Sequence, residues 1–219
     1  MSARAVGYID HIVLAAPDLE RACAEFETAT GVCPVFGGAH PGRGTHNALV
    51  AFDATSYLEI IAPDPAQPSV GMAAAMTALE HPTLFHWAIR CSGLANVADR
   101  LKTNGWTPTE IRRMTRTPPD GARLEWELFG LRGHSHGGLV PFFIDWLNCP
   151  HPAATSPRVG RVSSLSLTLP EPEQLQALVK DFGIDVAVNR GDSRIAMTFT
   201  SPRGEIGYSG AAPKGFTLG

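Results

Sequence analysis

The feature that most constrains the fold is a strand followed by a helix, a pattern that occurs three times along the chain. Each copy begins with a short run of β-branched, aromatic or leucine residues that ends at turn-forming residues, which is typical of a β-strand. Apolar residues at positions i, i+3, i+4 and i+7 follow, which indicates an amphipathic helix packed on a sheet. The strand runs cover residues 8–14, 84–89 and 162–169, and the apolar helix positions begin at Leu19, Leu94 and Leu175.

Further strand-like runs follow each helix, so the repeated unit is β-α-β-β-β. The unit is complete in the first two copies and shortened in the third, where a last strand over 206–208 is left open. Because the helices alternate with groups of strands, we expect an α+β fold with helices on one face of mixed sheets. The later strand runs are 33–36, 47–52 and 57–62 in the first unit, 107–114, 123–129 and 139–146 in the second, and 186–189 and 195–200 in the third.

These patterns divide the chain into four predicted segments. A first βαβββ module occupies residues 1–65, and a linker with a short helix occupies 66–83. A second βαβββ module occupies 84–152. A truncated third βαββ unit and the C-terminal tail occupy 153–219.

Composition narrows the class of protein. The chain has 219 residues, 44% of them hydrophobic and 18% charged, with a formal net charge of −3 and four scattered cysteines. A chain of this length folds without disulfides, so we expect reduced cysteines, and the small net charge argues against a nucleic-acid partner. No apolar run approaches the roughly 20 residues that span a bilayer, and residues 1–7 lack the apolar region of a signal peptide. We therefore expect a cytoplasmic protein with neither a membrane nor a nucleic-acid partner.

Three polar residues interrupt apolar strand runs. His11 and His86 hold equivalent places in the first strands of the first two units, and Glu59 lies in the last strand of the first unit. A buried carboxylate costs several kcal/mol unless it is paired, hydrogen-bonded or bound to a metal. Two imidazoles and one carboxylate suit a divalent metal with open coordination positions. The alternative is a buried His–Glu hydrogen bond or histidines that only pack. Ser164 takes the corresponding place in the third unit, which therefore builds no second centre.

Other polar and aromatic residues are weaker candidates. His46 follows a glycine-rich loop and could act as an acid or base, with a strand-end histidine bonded to backbone as the alternative. His134 and His136 could share a face of an extended segment, although the glycines around them indicate a loop. Arg113 belongs to a basic cluster in which one arginine could bind a substrate carboxylate, with a solvated edge as the alternative. Trp126 is a core residue or part of an apolar cleft wall.

Three stretches carry a family resemblance. Residues 10–19 (DHIVLAAPDL) resemble the opening of the vicinal oxygen chelate superfamily, which includes glyoxalases, bleomycin-resistance proteins and dioxygenases. Residues 44–49 with 57–65, and residues 137–146 followed by His151-Pro152, resemble its glyoxalase-like branch. The similarity covers about residues 7 to 153. It implies paired βαβββ modules whose curled sheets surround a cleft.

The resemblance also implies a ligand set. A metal, where present, would be bound by first-strand and last-strand residues of the modules, here His11, Glu59 and His86. The fourth position falls on Phe143 or Asp145, depending on where a gap is placed. Since phenylalanine binds no metal, either three protein ligands suffice or Asp145 completes the set. The metal would be divalent (Zn, Fe, Mn, Ni or Mg), and related glyoxalase-like proteins that bind no metal are the alternative.

These implications lead to one favoured function. We expect a metal-dependent lyase or isomerase that acts on a small oxygen-chelating organic substrate, with the metal as Lewis acid. A ring-opening dioxygenase is one alternative, and a protein that binds and sequesters a small drug or toxin is another. Modules of this type pair within or between chains, so a homodimer is the other partner to consider. Glu59 and His46 are the predicted catalytic residues, and the predicted substrate contacts are Trp126, Phe143, Asp145 and Arg113.

Overall fold

The first two units share one eight-stranded sheet in the computed structural model, which describes residues 7–116 and 124–211. The strands of the first unit are β1 (Tyr8–Ala15), β2 (Val35–His40), β3 (Thr45–Ala51) and β4 (Tyr57–Pro63). Those of the second are β5 (Thr83–Arg90), β6 (Thr107–Pro108), β7 (Arg112–Arg116), β8 (Leu124–Phe129), β9 (Leu131–Arg132) and β10 (Phe142–Asp145). The order in the sheet is β2-β3-β4-β1-β5-β10-β8-β7, and β6 and β9 form a separate pair.

The two units are arranged alike within this sheet. β1 and β5 lie antiparallel at its centre, and each also pairs in parallel with the last strand of its own unit, β4 or β10. The strand orders outward from the centre, β1-β4-β3-β2 and β5-β10-β8-β7, therefore correspond. The predicted α+β fold with paired, curled βαβββ modules is confirmed.

Two strands of the second unit differ from their predicted extents. The run predicted over 107–114 divides into β6 and β7, separated by residues 109–111. The run predicted over 139–146 begins only at Phe142, because Gly137–Leu139 form a 3-10 turn and Pro141 has no backbone N–H to pair. Residue 123, the predicted start of another strand, lies outside the described residues.

The third unit contains more strands than predicted and arranges them differently. Its strands are β11 (Val162–Leu169), β12 (Ala187–Arg190), β13 (Arg194–Ser201) and β14 (Gly204–Gly210), in the order β12-β11-β13-β14. The last strand, which the sequence left open over 206–208, is therefore present as β14 and is longer than that range. β12 lies directly beside β11 in parallel, so the connection between them is a simple β-α-β crossover. The third unit repeats the order of elements along the chain but not the pairing of the first two.

Four α-helices accompany the strands in the described part of the chain, and the first of them has a capping residue at each end. They are α1 (Leu19–Thr30), α2 (Met72–Met76), α3 (Leu94–Thr103) and α4 (Glu173–Phe182). Asp18 accepts a hydrogen bond from the backbone N–H of Arg21 at 2.8 Å, and Gly31 ends α1 with a φ of 79°. No helix within the described residues is long and apolar enough to cross a membrane.

The main core lies between one face of the eight-stranded sheet and the layer formed by the helices and the second sheet. Alternation along the strands turns Ile12, Leu14 and Trp87 to this face, where they join Phe26 of α1 and Phe182 of α4 in one apolar cluster. The intervening residues of the strands face the opposite side of the sheet and form a second cluster. Both faces are thus buried, and the polar residues within the strands are forced to find partners inside the protein.

Candidate functional site

A cavity of about 120 Å³ opens on the face of the sheet opposite the main core. The two units line it differently. The wall from the second unit is mainly apolar and includes Phe85, Trp126, Phe142, Ile144 and Trp146. The first unit supplies most of the polar groups, which are the buried His11, Thr45, Asn47 and Glu59 and the partly buried His40. Such a cavity suits a small organic molecule with an apolar body and a few polar atoms.

Irregular register in the two central strands sets the position of the histidines. On β1 the pairing shifts between Ile9 and His11, so Asp10 is an extra residue. On β5 it shifts between the partners of Val13 and Leu14, so Phe85 is the extra residue before His86. A β-bulge re-aims the side chains around it. The first unit thereby presents an Asp–His pair on the cavity side, and the second presents a Phe–His pair at the corresponding place.

Asp10 is fully buried and accepts hydrogen bonds from three side chains. Its Oδ1 lies 2.6 Å from Nδ1 of His11, and its Oδ2 accepts from Nε1 of Trp146 at 3.0 Å. Nε2 of His151 also donates to Oδ2 at 2.9 Å, because its Nδ1 already accepts the Ala153 N–H. Burial raises the pKa of Asp10, but the hydrogen bonds and charges of His11 and His151 outweigh it and lower the pKa well below its usual range. Asp10 is therefore an ionised carboxylate that fixes the ring of His11.

Glu59 lies on the other side of the His11 ring. Its Oε2 is 3.4 Å from Nε2 of His11, and its Oε1 accepts a hydrogen bond from Nδ2 of Asn47 at 2.6 Å. Since Nδ1 of His11 is held by Asp10, Nε2 is the nitrogen that can exchange a proton with Glu59 or with a molecule in the cavity. Asp10, His11 and Glu59 form a continuous series of neighbouring acid–base side chains, which we call the proton chain. Its last two members line the cavity.

His86 is held by the backbone of the second unit rather than by a carboxylate. Its Nε2 donates to the carbonyl oxygen of Val140 at 2.9 Å. Burial lowers the pKa of His86 to about 4, against the smaller opposing effect of that hydrogen bond. The ring is therefore neutral near pH 7, with its proton on Nε2. The Phe142 ring contacts both histidines, with centroids 5.2 Å from His11 and 4.9 Å from His86.

The strand register corrects the predicted fourth position of the site. Glu59 on β4 is opposite Val13, two residues after His11. Phe142 on β10 is opposite Ala88, two residues after His86. Phe142 therefore corresponds to Glu59, and neither Phe143 nor Asp145 holds that place. The two alternatives from the sequence lie one and three residues after Phe142, because the strand is irregular just before Phe142 and the gap could not be placed.

The residues of this site do not fit the predicted metal set. His11 and Glu59 lie side by side, but the apolar Phe142 ring holds the fourth position. His86 donates its Nε2–H to Val140, which leaves Nδ1 as the only nitrogen of this ring with a lone pair for a metal. Within residues 7–116 and 124–211, no group of three or more His, Cys, Asp or Glu side chains is placed to hold a metal ion. The His–Glu hydrogen-bonding arrangement, which the sequence left as the alternative, describes these residues better.

Two other candidate histidines, His46 and His134, do not line the cavity. His46 lies on the opposite face of β3 from Thr45 and Asn47 and contacts the Phe36 ring, with 6.0 Å between centroids. His134 uses Nε2 on the Leu131 carbonyl at 3.0 Å and Nδ1 on the backbone N–H of His136 at 3.3 Å. Strand alternation explains the first placement, because the cavity side of β3 belongs to the odd-numbered residues. His46 is therefore not positioned to act on a molecule in the cavity.

Only one of the four predicted substrate contacts lines the cavity. Trp126 lines the cavity, with its ring 5.3 Å from that of Trp146. Phe143 faces the main core. Asp145 accepts the backbone N–H groups of Gly93 at 3.0 Å and Leu147 at 2.9 Å. Arg113 is exposed and pairs with Glu125 at 2.8 Å.

Several residues of the site were not selected from the sequence. Asp10 stands next to His11, and two adjacent polar residues in an apolar strand indicate a bulge, since strict alternation would send one of them into the core. His151 stood in the motif that carried the family resemblance. Asn47 offered no such signal, because its partner Glu59 is brought beside it only by the pairing of β3 with β4.

The buried His86 predicts a loss of stability in acid. Its pKa falls from 6.5 in the unfolded chain to about 4 in the folded one, so the unfolded state binds more protons between these values. The free energy of unfolding therefore decreases as the pH falls from about 6.5 to 4, by about 3 kcal/mol for this group alone. His86→Gln, which keeps a donor for Val140, should remove that part of the decrease. Urea unfolding at pH 7 and pH 4 measures it. The same substitution at the exposed His81 is the control and should leave the decrease unchanged. A decrease in His86→Gln as large as that of the wild type would contradict the prediction.

Comparison with known proteins gives one family match. A family model described as a glyoxalase-like domain matches residues 9–183. No curated protein matches the chain significantly. Among solved structures, a hypothetical protein from Staphylococcus aureus superimposes with a TM-score of 0.64 at 14% identity, over 95% of this chain and 87% of that one. Methylmalonyl-CoA epimerase from Mycobacterium tuberculosis gives a TM-score of 0.49 at 19% identity, over 66% of this chain and 91% of that one. At 14% identity the likeness to the Staphylococcus aureus protein supports the fold alone.

Proposed function

Because the chain belongs to the glyoxalase-like domain family of the vicinal oxygen chelate superfamily, we propose that it is an enzyme that moves a proton on a small organic substrate. The reaction is of the lyase or isomerase type. The observation that carries the proposal is the proton chain, which runs from the buried Asp10 through His11 to Glu59 and reaches the cavity at its last two members.

The proton chain supplies a base and an acid in one place. Glu59 or His11 Nε2 accepts a proton from a carbon next to a substrate carbonyl, and the electron pair of the broken C–H bond moves to the carbonyl oxygen. Return of the proton to a neighbouring atom completes an isomerisation. Asp10 stabilises the imidazolium that forms when His11 takes the proton. The apolar wall excludes water and strengthens each of these charge interactions.

The proposed reaction uses no step on a metal. Members of the superfamily commonly use divalent metals, but here Phe142 holds the fourth position, and within the described residues His86 does not form a metal-binding group with His11 and Glu59. The dioxygenase alternative needs two histidines and one carboxylate on iron, so this arrangement of His86 withdraws support from it. Sequestration of an apolar molecule without chemistry is the second candidate, and the apolar wall favours it.

Hydrogen–deuterium exchange at carbon tests the proposal. The purified protein is dialysed against EDTA and incubated in D₂O with a panel of 2-oxo acids, α-hydroxyketones and 1,3-dicarbonyl compounds. We expect the C–H signal of at least one compound in ¹H NMR to disappear about 10²-fold faster than in buffer, the lower range for general acid–base catalysis. His46→Gln, which changes a histidine of β3 outside the cavity, should exchange at the wild-type rate.

The other functions give different results in the same assay. Loss of exchange after EDTA, with recovery on adding a divalent cation, would indicate the metal-dependent enzyme. Compounds that bind, as detected by tryptophan fluorescence, without any exchange would indicate sequestration. Elemental analysis of the protein purified without chelator separates these two functions further. Bound metal in the wild type that is lost in His11→Ala and His86→Ala would indicate the metal-dependent enzyme, and a metal-free wild type would favour sequestration.

A further inference from the structure

Arg43 brings a positive charge to the edge of the cavity. It is partly buried, lies in the turn between β2 and β3, and lines the cavity. The contact of its guanidinium is with the thioether sulfur of Met114, 3.9 Å from Nη2. Within the described residues this guanidinium forms no ion pair with a carboxylate. A thioether is a weak acceptor and a guanidinium has five N–H donors, so most donors of Arg43 remain available to the acceptor atoms of a ligand.

A second cation faces the same opening from the other unit. Arg112 lies on the cavity side of β7, whereas its neighbour Arg113 faces outward and is paired with Glu125. The edge strands β2 and β7 approach each other as the sheet curls, which brings residues of both units to one opening. Glu110 is exposed at the same place. We call these three residues, Arg43, Glu110 and Arg112, the mouth of the cavity. Two positive charges against one negative charge make the mouth attractive to an anion.

We propose that the ligand of this cavity is a small organic anion, a carboxylate with an apolar body, whose charged group is bound by Arg43 with Arg112 on the opposite side. The planar fork of a guanidinium matches the two oxygens of a carboxylate. The apolar body then lies against Trp126 and Phe142, and the reacting carbon faces Glu59. The inference rests on the proposed function for this last placement only.

A matched pair of compounds tests the charge preference. 3-Phenylpropanoate and 3-phenylpropanamide have nearly the same shape, and only the first is charged at pH 7. Isothermal titration calorimetry measures the affinity of wild type, Arg43→Gln and Arg43→Lys for each. We expect the wild type to prefer the acid by about tenfold, as for a hydrogen bond to a charged group. Arg43→Gln should lose this preference and keep the affinity for the amide, and Arg43→Lys should retain part of it.

Arg113→Gln is the control, because it removes a neighbouring arginine that faces away from the cavity. It should keep the full preference, and thermal unfolding should show that every variant is folded. Equal wild-type affinity for acid and amide, a preference that survives Arg43→Gln, or no binding of either compound at millimolar concentration would overturn the inference. Binding of these probes needs no proton transfer. Failure of the exchange assay with the acid preference intact would therefore remove the proposed reaction and leave the anion site.

Discussion

Glu59→Gln is expected to slow the proton exchange by about 10²–10⁴-fold, the range that general acid–base groups contribute. The substitution preserves the shape of the side chain and an oxygen for the 2.6 Å hydrogen bond from Asn47. It replaces the oxygen that faces Nε2 of His11 at 3.4 Å by an amide nitrogen, which cannot accept a proton. The proton chain therefore loses its base at the cavity, while the packing of the side chain stays the same. The rate of ¹H signal loss in D₂O measures the effect.

The control for this substitution is Glu127→Gln on β8. Glu127 alternates with the cavity-lining Trp126 and Leu128, so its carboxylate is on the other side of the strand. Its replacement should leave the exchange rate unchanged, and both variants should bind 3-phenylpropanamide like the wild type. An unchanged rate in Glu59→Gln, or equal losses in the two variants, would show that Glu59 is not the acid–base group.

The repeated units could be predicted because their signals are local. Strand runs that end at turn residues and helices with period-3.6 apolar positions depend on a few neighbouring residues, and both were present in each unit. Asp18 and Gly31 could likewise be placed at the ends of the first helix because capping needs only the backbone beside them. These elements were found from the sequence without knowing which strands pair.

The pairing of strands could not be predicted in the same way. The third unit has the same sequence of elements, yet β12 lies beside β11, whereas β2 and β1 are separated by two strands. The choice of neighbour is made by long-range packing of the second sheet on the main core, which no local pattern records. The residue corresponding to Glu59 could likewise be narrowed to one strand but not assigned to Phe142, because the register of β10 is fixed only by its pairing with β5.

Three residues of the candidate site were selected from the sequence, but their hydrogen bonding was not predicted. His11, Glu59 and His86 all line one cavity, as expected from symmetry between the first two units. The symmetry is broken by their neighbours, because Asp10 stands before His11 where Phe85 stands before His86. One imidazole is therefore bound to a buried carboxylate and the other to a backbone carbonyl. The difference between Asp10 and Phe85 thus gives different hydrogen-bond partners to two histidines that hold equivalent places in the repeat.

Asp10→Ala is expected to lower the free energy of unfolding by about 3–5 kcal/mol, as when one partner of a buried charged network is removed. The alanine leaves the N–H groups of His11, Trp146 and His151 without an acceptor inside the protein. Such a loss is large relative to the roughly 5–15 kcal/mol that stabilises a folded domain. Urea unfolding followed by circular dichroism measures it. Asp53→Ala is the matched control, because Asp53 also accepts hydrogen bonds from Thr55 but is exposed.

Asp10→Asn separates the charge of this residue from its shape and gives a folded variant for the exchange assay. The lowered pKa of Asp10 means that the ionised carboxylate stabilises the folded protein above the unfolded-state pKa near 3.8. This contribution is lost as the pH falls from there toward the lower pKa of the folded state. The stability difference between wild type and Asp10→Asn should therefore be full at pH 7 and narrow below about pH 4. The exchange rate of Asp10→Asn should also fall, because its amide no longer stabilises a protonated His11. A constant stability difference across this range would show that Asp10 acts by packing rather than by charge.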